Sequence, residues 1–153
     1  MFKLHHSLLT VALLLLSFTP TNAQFVTTKG KQFFTQDGKQ LKLKGINLGN
    51  WLLPEGYMFK FKAASSPRLI HTVINQLIGE DEARRFWRNF RDNYITAEDI
   101  RFIKQSGFNS IRVPFNYRLF VSGDDPQKLE GEGYELLERV VRWSKQEGLY
   151  VIF

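Results

Sequence analysis

The chain contains no cysteine. That excludes a disulfide scaffold, a lipid anchor on cysteine and any thiolate metal site, and it suits a domain that relies on its own apolar core. Histidine is nearly as scarce: of the three, His5 and His6 stand at the extreme amino terminus and only His71 lies further in. One histidine without cysteine cannot assemble a metal cluster from the usual nitrogen and sulfur ligands, so neither a metal nor a cofactor is expected. Long apolar runs are missing too. The stretch from Leu8 to Leu16 falls short of the roughly 20 apolar residues that a membrane span needs. With Lys3, His5 and His6 before it and the small residues Thr21, Asn22 and Ala23 after it, this stretch reads as a secretory signal peptide cut after Ala23. Residues 24–153 are then an exported, soluble domain rather than a membrane protein.

No long run of one charge is present either. Taking Lys3 from the 21 basic side chains leaves 20 against 15 acidic ones, a net charge of +5. The basic residues alternate with acidic ones along predicted helices, which is the pattern of a solvated surface rather than of a nucleic-acid or membrane tract. A basic module binding polyanions stays open as a lesser alternative.

What is present is an ordered series of element signals. Thr27–Gly30, Gln32–Thr35 and Leu41–Leu43 alternate in character, and Asp37-Gly38 between them predicts a tight hairpin turn. Gly45–Gly49 reads as a short strand. Ser66-Pro67 opens a helix whose apolar face is Leu69, Ile70, Val73, Ile74, Leu77 and Ile78, and Gly79 ends it. A second helix starts at Glu80, Asp81 and Glu82 and carries its arginines later, in keeping with the helix dipole. Its apolar side is Ala83, Phe86, Trp87 and Phe90, whose spacing predicts a packed core. Thr96 and Asp99 predict a capping box, with Ile95 and Ile100 as a staple. Gly107 ends that helix and Ser110–Phe115 reads as a strand. A fourth helix covers Tyr134–Glu147, with Leu136, Leu137, Val140, Val141 and Trp143 inward and Gly148 closing it. Leu149–Phe153 reads as a strand with no turn or cap after it, so the residues read as the front portion of a larger fold.

Without the insertion at about residues 51–95, the order is hairpin, strand, helix, strand, helix, strand. That means parallel strands joined by crossovers. An open doubly wound sheet and a closed barrel compete. The turn after the first strand, Gly49-Asn50-Trp51-Leu52-Leu53-Pro54, lacks the glycine spacing of a nucleotide site, which favours the barrel. The expected fold class is therefore α/β of the (β/α)8 TIM-barrel type, broken off after about the third strand. The hairpin is expected to cover its lower mouth. In such a barrel Ile46, Leu48, Ile111, Val113 and Phe115 would face the helices, and Gly45, Asn47, Gly49 and Arg112 would face inward. An inward arginine keeps its charge and must meet a carboxylate or a substrate. The first two strands offer no carboxylate, so later strands are expected to supply the partner. His71 is expected to be structural.

Lys44-Gly45-Ile46-Asn47-Leu48-Gly49-Asn50-Trp51-Leu52, Gly107-Phe108-Asn109-Ser110-Ile111-Arg112-Val113-Pro114-Phe115 and the helix–strand unit from Tyr134 to Phe153 together resemble glycoside hydrolase family 5. The nearest branch is that of the cellulase-like exo-β-1,3-glucanases and related endo-glucanases, and the resemblance runs from Gly30 to Phe153. It implies a (β/α)8 barrel that hydrolyses β-glycosidic bonds with retention, using a glutamate pair on strands four and seven. Those positions would lie beyond Phe153, and no glutamate present fills either role. The resemblance makes Arg112 the strand-two arginine that holds the nucleophile's carboxylate charged and oriented. It places Glu55 and Tyr57 in the sugar subsite beside the cleaved bond. Residues 24–153 would then be the amino-terminal part of a secreted glycosidase domain whose partner is a β-glucan. A catalytically inactive carbohydrate-binding or non-functional truncated product is the alternative.

Overall fold

The computed structural model describes residues 26–121, 125 and 127–153, so the signal peptide read at residues 1–23 lies outside the described residues. The chain divides into two units, one ending at Lys42 and one starting at Leu43. In the first, β1 (Thr27–Lys29), β2 (Gln32–Phe34) and β3 (Gln40–Leu41) form an antiparallel meander. The Asp37-Gly38 turn joins β2 to β3 as predicted, and a second turn at Gly30 adds β1 to the pair. Both glycines have positive φ, 61° at Gly30 and 78° at Gly38, which explains their place there.

The second unit holds β4 (Gly45–Asn47), α1 (Pro67–Ile78), α2 (Glu80–Asn93), α3 (Ala97–Gln105), β5 (Ser110–Arg112), α4 (Gly133–Glu147) and β6 (Tyr150–Ile152). β4, β5 and β6 are parallel neighbours in sequence order, with Asn47 opposite Arg112 and Arg112 opposite Ile152. α3 and α4 cross over between them. Ile111 and Val113 of the central strand, Ile100 of α3 and Val140 of α4 are all 0% exposed and share one core with Leu48, Trp51 and Leu52. The opposite sheet face carries Gly45, Asn47, Ser110 and Arg112, with Tyr150 and Ile152 of β6 in register beside them. A face destined for a second helix layer would be apolar. This one suits the inside of a barrel arc.

Local signals explain the boundaries. The Asp99 carboxylate accepts from the Thr96 N–H at 2.7 Å and from its hydroxyl at 2.8 Å, fixing the start of α3. Ser66 accepts from the Leu69 N–H at 3.4 Å at the start of α1. Gly148 sits in the left-handed region at φ 63°, where α4 stops.

The insertion forms a lobe with its own apolar cluster, in which Ile70 and Trp87 are buried and Phe59, Phe86 and Phe90 pack on them. The edge of Trp87 meets Phe86 at 5.0 Å between ring centres. Two predicted apolar faces are broader than the surface that covers them. On α1, Leu69, Leu77 and Ile78 stay exposed because α2 covers only the side bearing Ile70, Val73 and Ile74. On α4, Val141 is exposed and the buried line runs through Leu136, Val140 and Ser144. Phe115 does not enter the helix-facing core. It lies past the end of β5 with its ring against Phe120 and Phe153.

Candidate active site

Arg112 is the last residue of β5, and its neighbours Ile111 and Val113 are sealed into the helix side. Strand alternation therefore sends its guanidinium to the other face. There Nη1 donates to the Asn47 Oδ1 at 3.0 Å, across the register pair that joins β4 and β5. The sequence offers no carboxylate on these strands, which directs the search for a partner to later ones. The amide carbonyl of Asn47 is a partner that such a search passes over. Both residues are exposed at the carboxyl ends of their strands, the end at which barrels of this type build active sites.

The loop after β4 is fixed at several points. Trp51 is 1% exposed and its indole N–H donates to the Arg91 carbonyl at 2.8 Å. The Asn116 N–H donates to the Leu52 carbonyl at 2.9 Å, extending the pairing of β4 and β5 beyond the strands. Asn50 is buried with φ 63°, and its Oδ1 accepts the Glu55 N–H at 2.8 Å. The Glu55 carbonyl then accepts from Met58 and Phe59, and that of Gly56 accepts from Phe61 at 2.9 Å. Gly56 is required by space: a Cβ there would stand 2.1 Å from the Ala64 carbonyl oxygen.

This loop delivers the Glu55 carboxylate to Gly49. A Cβ at residue 49 would stand 3.3 Å from the Asn47 Nδ2 and 3.4 Å from the Glu55 Oε1. Glycine thus leaves open the space that the amide and the carboxylate share. Tyr57 is 76% exposed, and the Glu55 carboxylate pushes its phenol pKa up, first by hydrogen bonding and then by charge. The residues predicted from sequence therefore form a chain: Arg112 to Asn47, Asn47 and Glu55 around Gly49, Glu55 to Tyr57. Asn47 is the link that sequence reasoning reads as inward without giving it a role. Chemically the group offers a fixed cation, a carboxylate that accepts two hydroxyls, and an exposed aromatic ring with a polar tip.

A cleft of about 1020 Å³ lies elsewhere and includes none of Arg112, Glu55 and Tyr57 in its lining. It runs between the lobe and the start of α4, with Trp51, His71 and Trp87 in its wall. Arg91 crosses it to grip both Glu132 oxygens, at 2.6 and 3.0 Å. Arg139 joins Asp92 at 2.7 Å and Glu135 at 3.0 Å. His71 stacks on Trp87 with ring centres 4.1 Å apart, and burial, then the Arg91 charge, lower its pKa. Its surroundings are those of a packed side chain. Among the described residues no three carboxylate or imidazole groups converge to hold a metal ion, and no helix is long and apolar enough to cross a membrane.

The sequence model of the Cellulase family (glycosyl hydrolase family 5) matches residues 71–153, more than half of the chain. The chain belongs to glycosyl hydrolase family 5. It is similar to the Beta-xylosidase of Phanerodontia chrysosporium, 28% identical over 128 residues that cover 84% of this chain and 26% of that protein. It is also similar to the Probable glucan 1,3-beta-glucosidase A of Aspergillus niger, 28% identical over 145 residues, 92% of this chain and 35% of that protein. The chain thus spans roughly a quarter to a third of the length of these family 5 relatives. Among solved structures, the rutinosidase from Aspergillus niger aligns over 72% of this chain and 31% of its own, at 20% identity and a TM-score of 0.56. That likeness shows a shared fold, and with the three parallel strands and their crossovers it makes this family 5 chain a partial (β/α)8-type fold.

Proposed function

We propose that the complete family 5 protein is a secreted glycoside hydrolase that cleaves a β-glucan with retention of configuration. In this reading residues 24–153 are the amino-terminal part of its catalytic domain and contribute Arg112, Glu55 and Tyr57 to the site. The observation that carries it is the placement of Arg112 at the carboxyl end of its strand, on the face away from the helices and hydrogen-bonded to Asn47, whose amide borders the same space over Gly49 as the Glu55 carboxylate. The names of the relatives denote β-linked sugars, xylose in one and 1,3-glucan in the other, which supports the β-configuration.

Retaining hydrolysis uses a nucleophilic carboxylate and an acid/base carboxyl about 5–5.5 Å apart and requires no cofactor. Arg112 would hold the nucleophile charged and aimed at the anomeric carbon, because a guanidinium cannot lose its proton and presents a planar fork to two oxygens. Glu55 would accept two sugar hydroxyls, and Tyr57 would present its ring to the apolar side of a pyranose.

The test is to express the complete protein and give it laminarin, cellulose and xylan. The expected result is release of reducing sugar from laminarin, with the β-anomer appearing first by proton NMR. No release from any of the three, or first appearance of the α-anomer, would sink the proposal. Amino-terminal sequencing of the secreted product should begin at Gln24.

A further inference from the structure

We infer that Asn47 is a positioning residue for the reaction: its neutral side-chain amide sets the Arg112 guanidinium in place. The inference rests on the reading of Arg112 given above. Its own basis is the geometry of the amide. Asn47 Oδ1 accepts from Arg112 Nη1 at 3.0 Å, while Nδ2 and the Glu55 Oε1 both border the space over Gly49. The carbonyl end of the amide thus faces the cation and the N–H end shares that space with the carboxylate. The two neighbouring charges favour this orientation over the flipped one.

Two consequences follow for Arg112. An exposed arginine side chain samples many rotamers, and fixing one of them costs conformational entropy each time it must act. A partner on the adjacent strand, in direct register, makes that selection before substrate arrives, which is how a supporting residue preorganises a site. Moreover, Asn47 is neutral. A carboxylate in its place would claim the guanidinium's charge, whereas an amide carbonyl orients the fork and leaves the charge for an anion on the open side. Asn47 is itself exposed and adds nothing to the buried core, so its hydrogen bond is not needed to hold the strands together.

A double-mutant cycle on the complete enzyme tests this, with kcat, KM and melting temperature as readouts. Asn47→Ala is expected to lower kcat about ten- to a hundredfold, the worth of one hydrogen bond to a charged group, with KM within about twofold. In an Arg112→Lys background the same substitution is expected to cost almost nothing further, since a residue acting through Arg112 has nothing left to position. The role of Asn47 is refuted, and that of Arg112 stands, if Arg112→Lys alone impairs the enzyme while Asn47→Ala either keeps wild-type kcat or costs as much in the Arg112→Lys background as without it. If Arg112→Lys alone leaves kcat intact, the reading of Arg112 falls and this inference with it. Should the alanine variant not fold, Asn47→Ser, too short to reach the guanidinium, runs the same cycle with the same outcomes.

Discussion

The indole N–H of Trp51 donates to the backbone carbonyl of Arg91 at 2.8 Å, fastening the loop that carries Glu55 to the last turn of α2. Carbonyls in a last helical turn have no donor within the helix, so this bond answers a need on both sides. Arg91 in turn grips Glu132 ahead of α4. Arg91 thereby joins the loop, through its carbonyl, to the residues ahead of α4, through its guanidinium.

Trp51→Phe should keep most of the packing and remove the bond, leaving a buried carbonyl without its donor. The expected loss is about 1–3 kcal/mol of unfolding free energy in the complete protein. Urea titration reads it as a lower midpoint at unchanged slope. An unchanged midpoint would mean that the carbonyl finds another donor and that the tie is of no consequence.

Gly56→Ala tests the path of the same loop. The added Cβ would meet the Ala64 carbonyl oxygen at 2.1 Å, a clash with the backbone that only movement of the loop can relieve. That movement carries Glu55 and Tyr57 with it. KM should rise about tenfold, equivalent to ~1.4 kcal/mol of lost binding, with kcat less affected. An alanine variant with wild-type KM would show that the loop does not touch substrate.

The local chemistry of this chain is legible in its sequence, and the pairings across distance are not. Ser66, Thr96 with Asp99, and Gly148 each act within one helical turn, so their roles can be read from neighbours alone. Asn47 and Arg112 are 65 residues apart, and only the register of β4 against β5 makes them partners. Strand alternation puts both residues on the inward face; the adjacency of the two parallel strands is the further step that pairs them. Periodicity overreaches on α1, where it marks Leu77 as core and the structure leaves it 69% exposed. An apolar face shows where a helix can be covered, and its neighbours decide how much of it is.

His71 gives the lobe a pH dependence. Burial, and then the Arg91 charge, hold its pKa below the ordinary 6.5. As pH falls below that value, the unfolded chain takes up the proton before the folded one does. The contribution of neutral His71 to stability is therefore full above about pH 6.5 and is lost as pH falls through the depressed value. His71→Phe keeps a ring on Trp87 and removes the titration. Unfolding free energies measured at about pH 7.5 and pH 5 should show the parent losing more stability on acidification than the variant. Equal losses would mean that the folded lobe binds the proton as readily as the unfolded chain.

Arg112→Lys separates catalysis from stability. Lysine retains the positive charge and loses the planar fork, so it cannot hold two carboxylate oxygens in one plane. If Arg112 keeps the nucleophile ionised and aimed, the complete enzyme should lose at least about 10²-fold in kcat, the scale of removing one preorganised donor from a transition state. Its melting temperature should barely move, because the guanidinium is exposed and its one described hydrogen bond is to the exposed Asn47. A lysine ammonium placed less closely against the carboxylate would also let the nucleophile's pKa rise, moving the acidic limb of the kcat/KM profile to higher pH. The opposite pattern, a large fall in melting temperature with full activity in the protein that remains folded, would make Arg112 a strut between β4 and β5 with no part in the reaction.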